Sequence, residues 1–299
     1  MSKRDVLFLV VGIVLMILGV LVGLTRGWDY TVGNVGNETI AAFEPGQVTA
    51  VEAKTEEVEI RIYENWNETA EVDIEDLSKS RISVTLEGST LVLREKKATF
   101  PGRLFGGDGC VILWLPAGGV TEVQAFSSSG DVTLSGLVNP EMAVSLTSSS
   151  GDAGVYDTQA ASLAIQSASG YATAGEVRLT GDLRAGVSSG TVSLVDVRCA
   201  AAQAESSSGN IWLDDVRAGT VTLSASSGSV IADELEASDV TAWTSSGSVD
   251  LELEGRREDY TVFMSTSSGS VSGVQPGGDG DRILTVSTSS GSINVSFTE

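Results

Sequence analysis

The chain has 299 residues, 41% of them hydrophobic, which is enough for one large or two small domains. Forty acids against 18 bases leave a net charge of −22, so most of the surface repels a polyanion and nucleic acid is excluded as a partner. Histidine is absent, which removes Ser-His-Asp and Cys-His catalysis and imidazole zinc sites.

Residues 6–24, VLFLVVGIVLMILGVLVGL, are 19 consecutive apolar residues, close to the roughly 20 that cross a bilayer as a helix. Lys3 and Arg4 precede this run, so the positive-inside bias places the N-terminus in the cytoplasm and the body outside the cell membrane as a single-pass protein. The apolar core is longer than that of a signal peptide, and TRGWDY offers no small-residue cleavage site, which favours an uncleaved anchor over residues 1–25. Gly19 and Gly23 have a spacing that lets helices approach closely, a spacing common in membrane helices.

Residues 26–47 show no sustained period and hold four glycines and a proline, so they are expected to form a tether. Short alternating runs follow over 48–100, among them VEIRIY, AEVDIE and ISVTLE, each patterned as a half-buried strand that caps or starts a larger β body.

From 101 to 299 a Ser-Ser-Gly-like step recurs at Gly130, Gly151, Gly170, Gly190, Gly209, Gly228, Gly247, Gly269 and Gly291, at intervals of 19 to 22 residues. The position seven before each glycine is always apolar, as is the position five before and the position two after. Steps of two on either side of a tight corner describe two strands per repeat with alternate side chains inward. The expected fold is therefore all-β, a β-solenoid resembling a parallel β-helix with 19–22 residues per coil. Nine rungs at the usual strand spacing would extend about 40 Å. The glycines are expected to supply a positive φ at each corner, and the hydroxyls to bond locally to the turn backbone.

Cys110 and Cys199 lie about four repeats apart, too far to bridge, and are expected to be buried free thiols. Two stretches, GGDG at 106–109 and GGDGD at 277–281, approach a calcium-binding β-roll motif but place Val111 and Arg282 where its acid belongs, so no metal or other cofactor is expected. Asp131 and Asp152 adjoin the corners, and Asp214 and Asp215 form a single exposed pair. None makes a spaced pair of the kind glycoside hydrolysis needs. Trp212 and Trp243 stand at +3 and −4 from their glycines, so they do not form one ladder. With Asp214 and Asp215 they are the candidate binding residues. Asn37, Asn67 and Asn294 each begin a glycosylation sequon, which chance accounts for.

The succession VEIRIYENWNETAEVDI, LVLREKK, then CVILWLPAGGVTEVQAFSSSGDVTLSGL and repeated SSGSV units resembles the adhesin-like class of membrane-anchored bacterial and archaeal proteins with a DUF4097-like β-strand repeat. Leu115 and Pro116, followed by Ser128 to Val132, occupy the places of the family's Leu-Pro strand end and first Ser-Ser-Gly-Asp-Val coil. The resemblance covers residues 48–299. It implies a β-solenoid, no settled catalytic residues and, for some members, a part in sensing or resisting envelope stress. The combined expectation is a non-enzymatic, adhesin-like binding or scaffold protein whose partner is an envelope protein or glycan. The alternatives are a stress-sensing accessory protein acting through a membrane partner and, more remotely, a polysaccharide-active enzyme.

Overall fold

The computed structural model describes residues 28–29, 38–75, 80–97, 109–116 and 118–298. The apolar run at 6–24 lies outside them, and among the described residues no helix is long and apolar enough to cross a membrane.

The body is a β-solenoid with two walls, here called A and B, joined by one hydrogen-bonded network. Each interior coil starts on wall A, turns at a Ser-Ser-Gly-like corner, runs along wall B and bends back. The parallel strands Glu122–Ser127, Ala143–Ser148, Ser162–Ser167 and Leu183–Val187 stack on wall A, and Val132–Ser135, Ala153–Ala160 and Ala172–Leu179 stack on wall B. Val192–Ser206, Ile211–Ala225 and Val230–Thr244 are long enough to run along wall B and continue onto wall A. The residues expected inward fill the core: Val123, Leu163, Leu223, Val132, Ile211 and Val230 are all buried.

Both ends reorder the chain. Ala50–Thr55 and Glu59–Asn65 stack directly on the coil at 122–135, while the later strands Thr90–Lys97 and Cys110–Pro116 stack outside them. At the other end Arg282–Ser290 and Ile293–Thr298 pair with Val230–Thr244 and Val249–Glu254, while the earlier strands Tyr260–Ser268 and Val271–Gly273 lie outermost. Eleven rungs result among the described residues, about 50 Å of stack at the strand spacing.

Glu38–Phe43, expected in the tether, is instead a strand paired antiparallel with Ala70–Glu75. A bulge between Thr39 and Ala41 turns Ile40 and Ala41 inward in succession, which hides the period-two pattern. The strand Trp28–Asp29 likewise pairs within the body, against Ser80–Glu87.

The corner glycines are required for a reason other than the one expected. Of the nine, only Gly190 has a positive φ outside the ordinary range, at 157°. A Cβ built on Gly151 would lie 2.6 Å from the carbonyl oxygen of Gly130, and the clash with the neighbouring corner carbonyl is closer still at Gly190, Gly209, Gly228 and Gly247. The corners stack backbone on backbone, so a side chain there collides with the adjacent rung.

Seven of the nine corners carry a hydroxyl three residues before the glycine, with Val187 and Ala225 at the other two, and several of these hydroxyls tie adjacent rungs together. Ser167 Oγ accepts from Gly170 N at 2.8 Å and donates to the carbonyl of Gly151 on the adjacent rung at 2.8 Å. Ser148 does the same between Gly151 N and Gly130 O, and Thr244 and Thr288 donate to Gly228 O and Gly247 O. Ser148 and Ser167 are buried with both donor and acceptor capacities used, and Thr244 and Thr288 are buried with the hydroxyl proton donated. One residue after the glycine, Asp131 Oδ1 accepts from Asp152 N and Asp152 Oδ1 from Tyr171 N, both at 2.8 Å. The corner acids therefore carry backbone, as the turn reading requires.

Candidate functional site

Positive φ does occur in the body of the solenoid, on wall B rather than at the corners. Asp157, Glu176, Asp196, Asp215 and Glu234, each six residues after a corner glycine, have φ between 47° and 55°. Each makes two successive residues point outward, so the inward phase jumps from Val155 to Thr158, from Leu194 to Val197 and from Leu213 to Val216. An L-residue in this region costs on the order of 1 kcal/mol, and the uninterrupted pairing on both sides of the bulge holds it there.

The bulge stacks carboxylates up one edge of wall B, with arginines between them. Arg178 Nη2 donates to both carboxylate oxygens of Asp196 at 2.8 Å, and its Nη1 to the carbonyl of Asp196 at 2.7 Å. That guanidinium holds the Asp196 carboxyl below the usual carboxylate range. Arg217 sits among Asp215, Glu236 and Glu254 at 3.4, 3.5 and 3.6 Å.

Beside this edge the outward positions of wall B align in register. Ser193, Trp212, Ile231, Asp250 and Asn294 occupy one column, and Val195, Asp214 and Asp233 the next. Trp212 is 37% exposed and lies against half-buried Ile231, with Asp214, Asp233 and Asp250 around the pair. Trp212, Asp214 and Asp215, singled out in the sequence, thus come together on one strand. Trp243 does not join them: it is exposed on wall A, on the other side of the core, in register with Ser224 and Ser287 of the neighbouring wall A strands. Ile231, Asp233 and Asp250 are the members of the patch that sequence reasoning missed. They share the +3 and +5 offsets of Trp212 and Asp214 from the corner glycines, a signal visible once outward positions are compared as inward ones are.

On wall A the described residues form open troughs of about 400 and 440 Å³, lined by small polar side chains such as Ser145, Thr147, Gln166 and Ser224. Among the described residues no three Cys, Asp or Glu side chains gather as a metal site. The GGDGD stretch lies in the loop that bends back over the outermost strand, where Gly277 exchanges two backbone hydrogen bonds with Val262. Arg257 clamps that loop by donating to the carbonyls of Tyr260, Gln275 and Gly277.

Cys110 is buried and Cys199 half-buried, both as free thiols. Burial pushes Cys110 up to about 12 and Cys199 up to about 11, so neither is poised as a thiolate near neutral pH. Asn294, exposed in the third sequon, donates its amide to Asp250 at 2.8 Å.

A family model described as Toastrack DUF4097 matches this body twice, over residues 48–181 and 176–299. The chain belongs to the Toastrack DUF4097 family. The two matches divide the Toastrack solenoid near its middle, where the parallel ladders run on without a break. No curated protein matches the chain. Among solved structures, a putative adhesin from Parabacteroides merdae is 14% identical with a TM-score of 0.51, covering 91% of this chain and 100% of that one. A putative adhesin from Bacteroides fragilis is 13% identical with a TM-score of 0.49, covering 89% and 98%. A putative lipid binding protein from Parabacteroides distasonis is 14% identical with a TM-score of 0.48, covering 88% and 98%. At these identities the Parabacteroides merdae protein speaks to the fold of the Toastrack body alone.

Proposed function

We propose that this Toastrack protein is a non-enzymatic binding body of the cell envelope, anchored by residues 6–24 and presenting wall B to an envelope protein or glycan. The observation that supports it is the register of outward side chains. Equivalent positions on adjacent rungs repeat at about 4.8 Å on a hydrogen-bonded scaffold, so the Trp212 and Ile231 pair and its rim of carboxylates are held with little freedom to lose on binding. An exposed tryptophan at the centre of a polar rim is the usual anatomy of a binding hot spot. The carboxylates Asp214, Asp233 and Asp250 fit a partner offering cationic or hydroxyl donors, and neighbouring rungs add avidity where that partner itself repeats.

The test is retention of the purified full chain on wall and membrane fractions of its host across a range of salt concentrations. Saturable retention that Trp212→Ala weakens about tenfold and Trp243→Ala leaves unchanged is the expected result, since hot-spot truncations cost upward of about 1 kcal/mol. Retention indifferent to Trp212, or turnover of a wall polysaccharide by the purified chain, would replace this reading.

A further inference from the structure

The outermost C-terminal rung has a partner on one side only. Tyr260–Ser268 pairs with Arg282–Ser290, and Val271–Gly273 with Ile293–Thr298. On the open side, Val262 is covered by its two hydrogen bonds to Gly277. By the alternation of a strand, Met264 and Thr266 turn their backbone N–H and C=O groups to the same open side, beyond the reach of that loop.

The inward register opens here as well. Val271 occupies the +2 position that is buried on the other eight coils but is itself 41% exposed, and Met264 occupies a position buried on the other eight coils yet is only partly buried. Phe263 and Ile283, on adjacent strands of wall A beside this end, are 56% and 47% exposed.

Charge distinguishes this end further. Residues 260–278 contain no Asp, Glu, Lys or Arg, and residues 260–298 contain only Asp279, Asp281 and Arg282. A flat strand edge without charge, proline or bulge invites pairing with another strand, and proteins ordinarily blunt such edges.

We infer that the C-terminal tip of the solenoid is an interface with a second copy of this chain, the two outermost rungs meeting edge to edge about a two-fold axis. The occupant follows from charge and closure. Two copies, each carrying −22, repel over most of their surfaces and approach most readily along strands 260–273, which carry no charge, with Arg257, Glu258, Asp259, Asp279 and Asp281 grouped beside them. A two-fold axis across wall A pairs the 264–268 part of the outermost strand antiparallel with its own copy, beyond the loop that holds Val262, consumes the remaining open edge of both and ends the assembly there. Among the described residues the opposite end finishes in antiparallel strands, unlike the parallel rungs of this tip, so the contact closes as a dimer instead of growing into a fibre. This inference does not depend on what wall B binds.

Sedimentation and mass photometry of the full chain in mild detergent should show a dimer. The exposed-edge variants Val271→Lys and Ser267→Lys each place a lysine near its symmetry mate and should raise the dissociation constant by about tenfold or more with the thermal transition unchanged. Under oxidation Ser267→Cys should form a disulfide-linked dimer, whereas Thr241→Cys, on wall A away from the tip, should not. A chain that stays monomeric at high concentration would overturn the inference. So would a dimer that both lysine variants leave intact, as one joined through residues 6–24 would be, or equal crosslinking at both cysteines.

Discussion

At the N-terminal end both walls finish in antiparallel strands. Ser80–Glu87 turns back against Thr90–Lys97, and Ala70–Glu75 covers Cys110–Pro116 with the bulged strand Glu38–Phe43 outside it. At the C-terminal end both walls finish in parallel strands, and a single loop, clamped by Arg257, covers part of one of them. A shared manoeuvre precedes both endings: the chain passes over one rung position, builds the outer rung and returns to the vacancy, or has already filled it. The difference shows that a solenoid's interior and its ends obey separate requirements. Inside, each rung needs only to match its neighbours; an end must satisfy strand edges and apolar side chains with no neighbour to match.

The same register position should consequently tolerate very different changes along the stack, and substitutions at −5 from the glycine give the widest contrast. Leu223 is fully buried at mid-stack, and Leu223→Asp leaves an unpaired charge in the core at a cost of about 5 kcal/mol, comparable with the whole stability of many domains. Met264→Asp, at the equivalent but only partly buried position of the tip, should cost less, about 1–2 kcal/mol. Denaturant titrations followed by circular dichroism measure both. Equal losses would mean that the tip is as enclosed as the middle and would break the comparison.

The corners sharpen it. Gly209→Ala drives a methyl into the carbonyl of Gly190 between two fixed rungs, and about 3 kcal/mol should be lost. At Gly269 the equivalent methyl meets the Gly291 carbonyl and the Thr266 hydroxyl, but the outermost rung has one neighbouring rung instead of two and can lift away, so Gly269→Ala should cost roughly half as much. Within the interior, burial alone grades the corner hydroxyls. Ser167→Ala strands Gly170 N and removes a bond to Gly151 O, about 2 kcal/mol, whereas exposed Ser227→Ala should fall within about 0.5 kcal/mol of the parent.

The coils and their inward residues were legible because a fixed period brings equivalent residues into stacked register, and Val123, Leu223 and Ile211 duly lie in the core. The order of the rungs was not, since consecutive coils carry interchangeable motifs and nothing local states which neighbour a coil will choose. The 22-residue intervals around Gly269 mark the place where the chain needs extra length to exchange positions, but Gly130 and Gly151 are 21 apart without any exchange. Glycine carries two meanings in a sequence, left-handed backbone and close approach, and only the stacked carbonyls showed that the second applies. The candidate site was half legible. Offsets separated Trp243 from Trp212, yet Asp215 read as an exposed acid, although its φ of 47° makes it part of a bulge.

The smallest expected effect tests that bulge column within the interior. Arg178 lowers the carboxyl of Asp196, so the pair contributes stability that is present above the unfolded carboxyl's ordinary value of 3.8 and lost as pH falls through the lower folded value. Both side chains are about one-third exposed, at 34% and 31%, so solvent screening holds the contribution to about 0.5 kcal/mol. Asp196→Asn should therefore unfold at slightly lower denaturant than the parent at pH 7, with the gap narrowing as acid protonates the parent's carboxyl. A gap that persists unchanged in acid would mean that Asn fails at this position because of its backbone conformation. The stacked acids would then be held by pairing across the bulge alone, with the arginines adding nothing to it.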